Sequence, residues 1–120
     1  MKNTAPRPAV ALGWIALGAI PGSLLRWAMA NTMWANTLGC FVVGVSGLLG
    51  KASPRRRLLV GLGFSGSLTT FSTWVMEVIT HLHQDGLGGV LLQTSRDWAL
   101  GLGALLLGAA LHRSLSSLKG

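Results

Sequence analysis

The residues with the most chemical capacity lie in one stretch, Gly61-Leu-Gly-Phe-Ser-Gly-Ser-Leu-Thr-Thr-Phe-Ser-Thr-Trp74, where glycines and hydroxyl side chains interrupt a hydrophobic run of membrane length. A plain lipid-facing helix does not need them. Residue chemistry alone supports two readings. In one, the helix breaks and frees carbonyl oxygens at membrane depth, which protein, water or an ion must satisfy; hard cations such as sodium take oxygen ligands of this kind. In the other, the Ser and Thr hydroxyls bond back to carbonyls of their own helix. Enzyme chemistry has little to work with, since there are only three carboxylates, no metal-ligand cluster, and no Cys/His or Ser/His pair at plausible spacing.

The elements that must position this segment follow from hydropathy. The chain has 120 residues, half of them apolar, with 17 glycines and a net charge of +7, which leaves room for a single unit over residues 1–120. Apolar runs cover residues 9–30, 32–50 and 58–79, and a last run ends near residue 111 after starting somewhere between 88 and 97. Each of the first three is close to the roughly 20 residues a helix needs to cross about 30 Å of hydrocarbon. An all-α integral membrane protein of four transmembrane helices is the expected fold. The polar hinges between runs, Asn31, residues 51–57 and residues 81–86, are short enough to predict that consecutive helices are antiparallel neighbours. His81 and His83 read as solvated loop residues.

The basic charge clusters between apolar runs, which argues against a nucleic-acid partner and for membrane lipid. With both termini in the cytoplasm, Lys2, Arg7, Lys51, Arg55, Arg56, Arg57, Arg113 and Lys119 lie inside against Arg26 and Arg96 elsewhere, a strong bias toward one orientation. No cleavable leader is visible before the first run, and Cys40, the one cysteine, reads as a small buried hydrophobe. Gly39-x4-Gly44 and Gly103-x4-Gly108 are expected to be seams where helix backbones approach closely.

At Gly66-Ser-Leu-Thr-Thr-Phe-Ser-Thr the chain resembles the G-x-x-T-T-F-S-T signature of the Fluc (CrcB) fluoride channels. Gly22-x3-Arg26, Thr32-x3-Asn36-x2-Gly39 and Glu77, six residues after Phe71, are similar to further family elements in the same order. The resemblance implies a fluoride-selective channel that exports fluoride from the cytoplasm across a bacterial or archaeal plasma (inner) membrane and relieves its toxicity. It further implies an antiparallel dimer of four-helix subunits, the third helix broken, with two pores and a structural sodium ion at the dimer centre. Gly66 and Thr69 match the positions whose backbone carbonyls hold the sodium. Asn36, Phe71 and Thr70 match the fluoride pore, with Trp74 beside them and Arg26, Thr32 and Glu77 as further functional candidates. These roles fit the residues. Fluoride is tightly hydrated, and the Asn36 amide offers donors to replace its water, its alternative being an interhelical hydrogen bond. Phe71 offers either packing bulk or a ring edge whose positive quadrupole can face an anion. Arg26 and Glu77 are ionisable groups in or near lipid; Arg26 is also long enough to snorkel, and Glu77 to reach Thr73 or the outer vestibule.

Two departures stand out. Where the family has a second phenylalanine this chain has Trp74, which adds an indole donor. Where the family's fourth helix carries tyrosine and serines, the chain reads Gln93-Thr-Ser-Arg-Asp97-Trp-Ala-Leu-Gly101 and contains no tyrosine. Either Thr94 caps a helix that starts late, or Arg96 and Asp97 lie within the span as a pair. The charge bias and these departures together suggest pairing with an opposite-orientation paralogue. Rival classes are a small multidrug-type four-helix transporter, which depends on a first-helix glutamate where this chain has Arg26, and a non-conducting membrane partner subunit.

Overall fold

The computed structural model describes residues 5–120, so Lys2, one of the charges counted on the cytoplasmic side, lies outside it. All regular structure among the described residues is helical. Helix α1 spans Pro8–Ala28 and begins on a proline, whose fixed φ and missing N–H suit a first helical position. Helix α2, Thr32–Val45, is capped by Asn31, whose side chain accepts the Trp34 N–H at 3.1 Å. Helix α3 is three contiguous pieces, Pro54–Arg56, a π-helical Arg57–Ser65 and Gly66–Leu68. Thr69 (φ −81, ψ 151) and Thr70 (φ −143, ψ 122) are extended. Helix α4, Phe71–Leu118, follows, with one non-helical residue inside it, Gly86 (φ 73, ψ −168).

Several boundaries differ from the hydropathy reading. The second run stops being α-helical at Val45, just before a turn in which Gly47 takes a positive φ of 74; a helix of 14 residues is only about 21 Å long. The 58–79 run is divided between α3 and α4 at the two threonines. The expected hinge at residues 81–86 is helical up to a single reversal at Gly86, a conformation open essentially to glycine alone. His81 and His83 are therefore helix residues and not loop residues: His81 Nδ1 meets Asp85 at 2.9 Å and His83 Nδ1 meets the Ile79 carbonyl at 2.9 Å. The last run resumes at once after Gly86, so Thr94 is interior and caps nothing, and Arg96 and Asp97 lie within the helix.

Small residues decide which helices pack. A Cβ on Gly18 would strike the Leu59 carbonyl and one on Gly63 the Ile15 carbonyl, while one on Gly22 would meet Ser67 and Phe64. Residue numbers rise together along this seam, so α1 and α3 run parallel. A Cβ on Gly44 would strike the Leu105 carbonyl, one on Gly108 the Phe41 carbonyl, and Gly47 lies against His112, so α2 and the end of α4 are parallel as well. α1 packs chiefly on α3 and α2 on α4, not each helix on its successor, because the close-approach glycines lie on those faces. Of the expected seam residues, Gly103 meets nothing within 4 Å.

This packing gathers basic residues at one end. Arg55 lies over the Trp14 ring at 5.6 Å, Arg56 donates to the Ser46 carbonyl at 3.3 Å, and His112 Nδ1 meets the Val45 carbonyl at 3.0 Å, with Arg113 next to it. Arg26 sits at the far end of α1. Among the described hydrophobic residues only Ala35 and Leu68 are fully buried, while Trp27 is 86% exposed and leucines line the outside of every long helix. α1 and the helical run Pro54–Leu118 are long and apolar enough to cross a membrane; α2 is apolar but shorter.

Candidate functional site at the helix break

The site is built around the two extended threonines. In a continuous helix the Thr70 N–H would bond the Gly66 carbonyl one turn back. Here it donates to Asn36 Oδ1 at 2.8 Å, and Asn36 Nδ2 donates to the Thr70 carbonyl at 3.2 Å. One side-chain amide from α2 thus satisfies both backbone groups of Thr70, which is what buried polar groups require. The last regular bond of α3 is Thr69 N–H to the Ser65 carbonyl at 3.0 Å, reinforced by Thr69 Oγ1 on the same oxygen at 2.9 Å. Thr70 then caps α4, its Oγ1 accepting the Thr73 N–H at 3.3 Å.

An open cavity of about 380 Å³ lies against this break, walled by Asn36, Thr37 and Cys40 of α2, by Thr69 and Thr70, and by Phe71, Trp74, Asp97, Trp98 and Gly101 of α4. The Asn36 amide keeps one N–H without a partner among the described residues, and the side chain is part of the cavity wall. Phe71 is 75% exposed in the single chain, its ring 5.7 Å from that of Trp74. Thr70, Asn36, Phe71 and Trp74 therefore meet at one place.

The other expected site residues are distributed around it. Thr69 borders the cavity, whereas Gly66 is on the exposed side of α3. The carbonyls of Gly66 and Thr69 accept no hydrogen bond among the described residues, the first because its usual donor is diverted to Asn36, so both are free to serve as hard oxygen ligands for a sodium ion. Arg26 and Thr32 form a separate device. The Arg26 guanidinium donates to the Met29 carbonyl at 2.8 Å and to Thr32 Oγ1 at 3.1 Å, tying the end of α1 to the buried first residue of α2. Glu77 is half-buried, does not bond Thr73, and lies outside the cavity wall.

Sequence reasoning did not connect Trp74 with Asp97. The indole Nε1 donates to Asp97 Oδ2 at 2.9 Å across the two halves of α4. The two residues are 23 apart and nearly equidistant from Gly86, the signal that a helical hairpin would bring them level. Ser65 and Gln93 are buried with an unpartnered side-chain oxygen each, Gln93 one turn from Asp97 on the same helix face.

Helices with apolar exteriors, almost no core of their own, and polar groups gathered round one break define a membrane protein with an internal polar site. The chain belongs to the CrcB family: the family profile described as CrcB-like protein, Camphor Resistance (CrcB), matches residues 13–109. It is 42% identical over 107 residues to the Fluoride-specific ion channel FluC 2 of Parasynechococcus marenigrum (strain WH8102), an alignment covering 84% of this chain and 80% of the relative. It is 37% identical over 107 residues to the Fluoride-specific ion channel FluC of Burkholderia ambifaria (strain MC40-6), covering 76% and 77%. A shorter match, 38% over 65 residues and 53% of this chain, 51% of the relative, is to the Fluoride-specific ion channel FluC 1 of Prochlorococcus marinus. These relatives are named as ion channels and not as enzymes.

Proposed function

We propose that this chain is one subunit of a fluoride-selective channel that releases fluoride from the cytoplasm across a bacterial or archaeal plasma (inner) membrane. The observation that carries the reading is the meeting of Asn36, Thr70 and Phe71 at one cavity, in a chain whose relatives are named fluoride-specific channels. An unpartnered amide N–H and an aromatic ring edge are donors of the kind that replace the hydration of a small anion. The chain crosses the membrane four times, with α3 and the first part of α4 making one broken span and the rest of α4 another.

Its partner is a second subunit in the opposite orientation. Support comes from the scarcity of core, from an exposed Phe71 at the break, and from basic residues gathered at one end, a bias that resists insertion both ways. Relatives carrying the numbers 1 and 2 are consistent with a paralogous pair. A structural sodium ion held by the Gly66 and Thr69 carbonyls, with those of the partner, would neutralise carbonyl dipoles at the dimer centre.

The test is fluoride efflux from liposomes followed by a fluoride electrode, with the purified chain alone and co-reconstituted with an opposite-bias relative. Efflux that is selective over chloride supports the reading. Efflux of organic cations driven by a proton gradient would favour a multidrug-type transporter, and no flux of either kind in any combination would leave a non-conducting partner subunit.

A further inference from the structure

The cavity that holds the proposed fluoride ligands also holds a carboxylate. Asp97 is part of its wall, and its side chain is only 11% exposed. Trp74 fixes it there through the 2.9 Å indole bond. That bond also takes up the indole N–H, the donor that tryptophan adds at this position, so it is not available to an anion. Arg96 pairs with the carboxylate only from outside the cavity wall, where solvent exposure weakens the pairing. Its nitrogens reach Asp97 Oδ1 only at 3.4 Å, its side chain is 55% exposed, and it is not part of the cavity wall.

We propose that the Asp97 carboxylate, held by Trp74, is a charge barrier that limits anion entry into this subunit's cavity. The inference rests on the channel reading above and adds the residue that sets the throughput of this cavity. Like charges repel over a useful range here. At an effective dielectric constant of about 20, two unit charges about 12 Å apart already repel by the 1.4 kcal/mol that corresponds to a tenfold change, and Asp97 is itself part of the cavity wall. The barrier would confine rapid fluoride flow to any pathway that does not pass Asp97.

The experiment compares fluoride efflux from liposomes containing the parent chain, Asp97→Asn and Trp74→Phe, each with the same opposite-bias partner, itself carrying a substitution that blocks the pathway not passing Asp97. Asparagine keeps an oxygen for the indole while removing the charge, so efflux should rise at least tenfold. Asp97→Ala should do the same and serves if the Asn variant fails to reconstitute. Trp74→Phe keeps the charge and removes only its indole anchor, so it should raise efflux by less than the neutral Asp97 variants do. A conducting parent with neutral Asp97 variants no faster overturns the barrier and leaves the channel reading intact. Equal acceleration by Trp74→Phe overturns the role of charge in favour of indole bulk. Absence of fluoride efflux from parent and variants alike overturns both readings.

Discussion

Asn36 is the residue whose removal should be most informative, because its amide serves the backbone and the cavity at once. Asn36→Ala deletes the 2.8 Å and 3.2 Å bonds to Thr70 and leaves a backbone N–H and a carbonyl without partners. Each orphaned buried group costs about 1–3 kcal/mol, which sets an upper figure of about 6 kcal/mol. Interhelical hydrogen bonds in membranes average only about 0.6 kcal/mol, which sets a lower figure of about 1.2 kcal/mol for the two. Asn36 borders an open cavity from which water can replace part of the loss, so the lower half of that range, about 1.2–3.6 kcal/mol, is expected. Asn36→Asp keeps an oxygen for the Thr70 N–H but sets a second oxygen against the Thr70 carbonyl, so it should be less stable than wild type and should not conduct. The assay pairs thermal unfolding of the purified protein in detergent with fluoride efflux from liposomes. An alanine variant of normal stability and normal efflux would refute both roles. Normal stability with lost efflux would refute the clamp and leave Asn36 a donor only.

Phe71→Ile keeps bulk and removes the quadrupole; efflux should fall several-fold to about tenfold, and an unchanged rate would take Phe71 out of the pathway. Gly86→Ala places a side chain in open space but on a backbone with φ 73, so it should cost about 1–3 kcal/mol in thermal stability by backbone strain alone. Substituting Gln at Lys51, Arg55, Arg56 and Arg57 keeps side-chain donors near the Ser46, Gly50 and Ala52 carbonyls and cuts the inside count from eight against two to four against two. A C-terminal tag should then become partly accessible from outside intact cells, and a wild-type tag already accessible from both sides would sink the single-orientation argument.

Much of the site is legible in residue types, because the family signature and the chemistry of Gly, Ser and Thr point to the same few positions. The hydroxyls of Thr69 and Thr70 leave two readings open, and the structure shows both acting: Thr69 bonds back to Ser65 within the helix, while Thr70 leaves it. What residue chemistry does not decide is where Asn36 points. An amide in an apolar helix is compatible with a ligand or with a backbone clamp, and only the register of α2 against the break decides that its oxygen meets the Thr70 N–H. The helix partners differ from expectation for a related reason. Hydropathy gives lengths and hinges, whereas pairing is set by which face each glycine occupies, so Gly44 meets Gly108 and Gly103 meets nothing. Residues 81–85 are polar enough to look like a loop, yet local pairs such as His81 with Asp85 satisfy them in a helix, and the reversal needs only Gly86.

The Asn36 clamp links features that a residue-by-residue reading keeps apart. By taking the Thr70 N–H it frees the Gly66 carbonyl, and by taking the Thr70 carbonyl it holds the extended segment that ends α3. Thr70, fixed in this way, caps α4, and α4 begins at Phe71 on the cavity wall. The proposed sodium ligands and the proposed fluoride wall are therefore two faces of one interruption. A substitution that reseals the helix would return the Thr70 N–H to Gly66, and it would withdraw the carbonyl from the proposed cation site and move Phe71 from the proposed anion wall together.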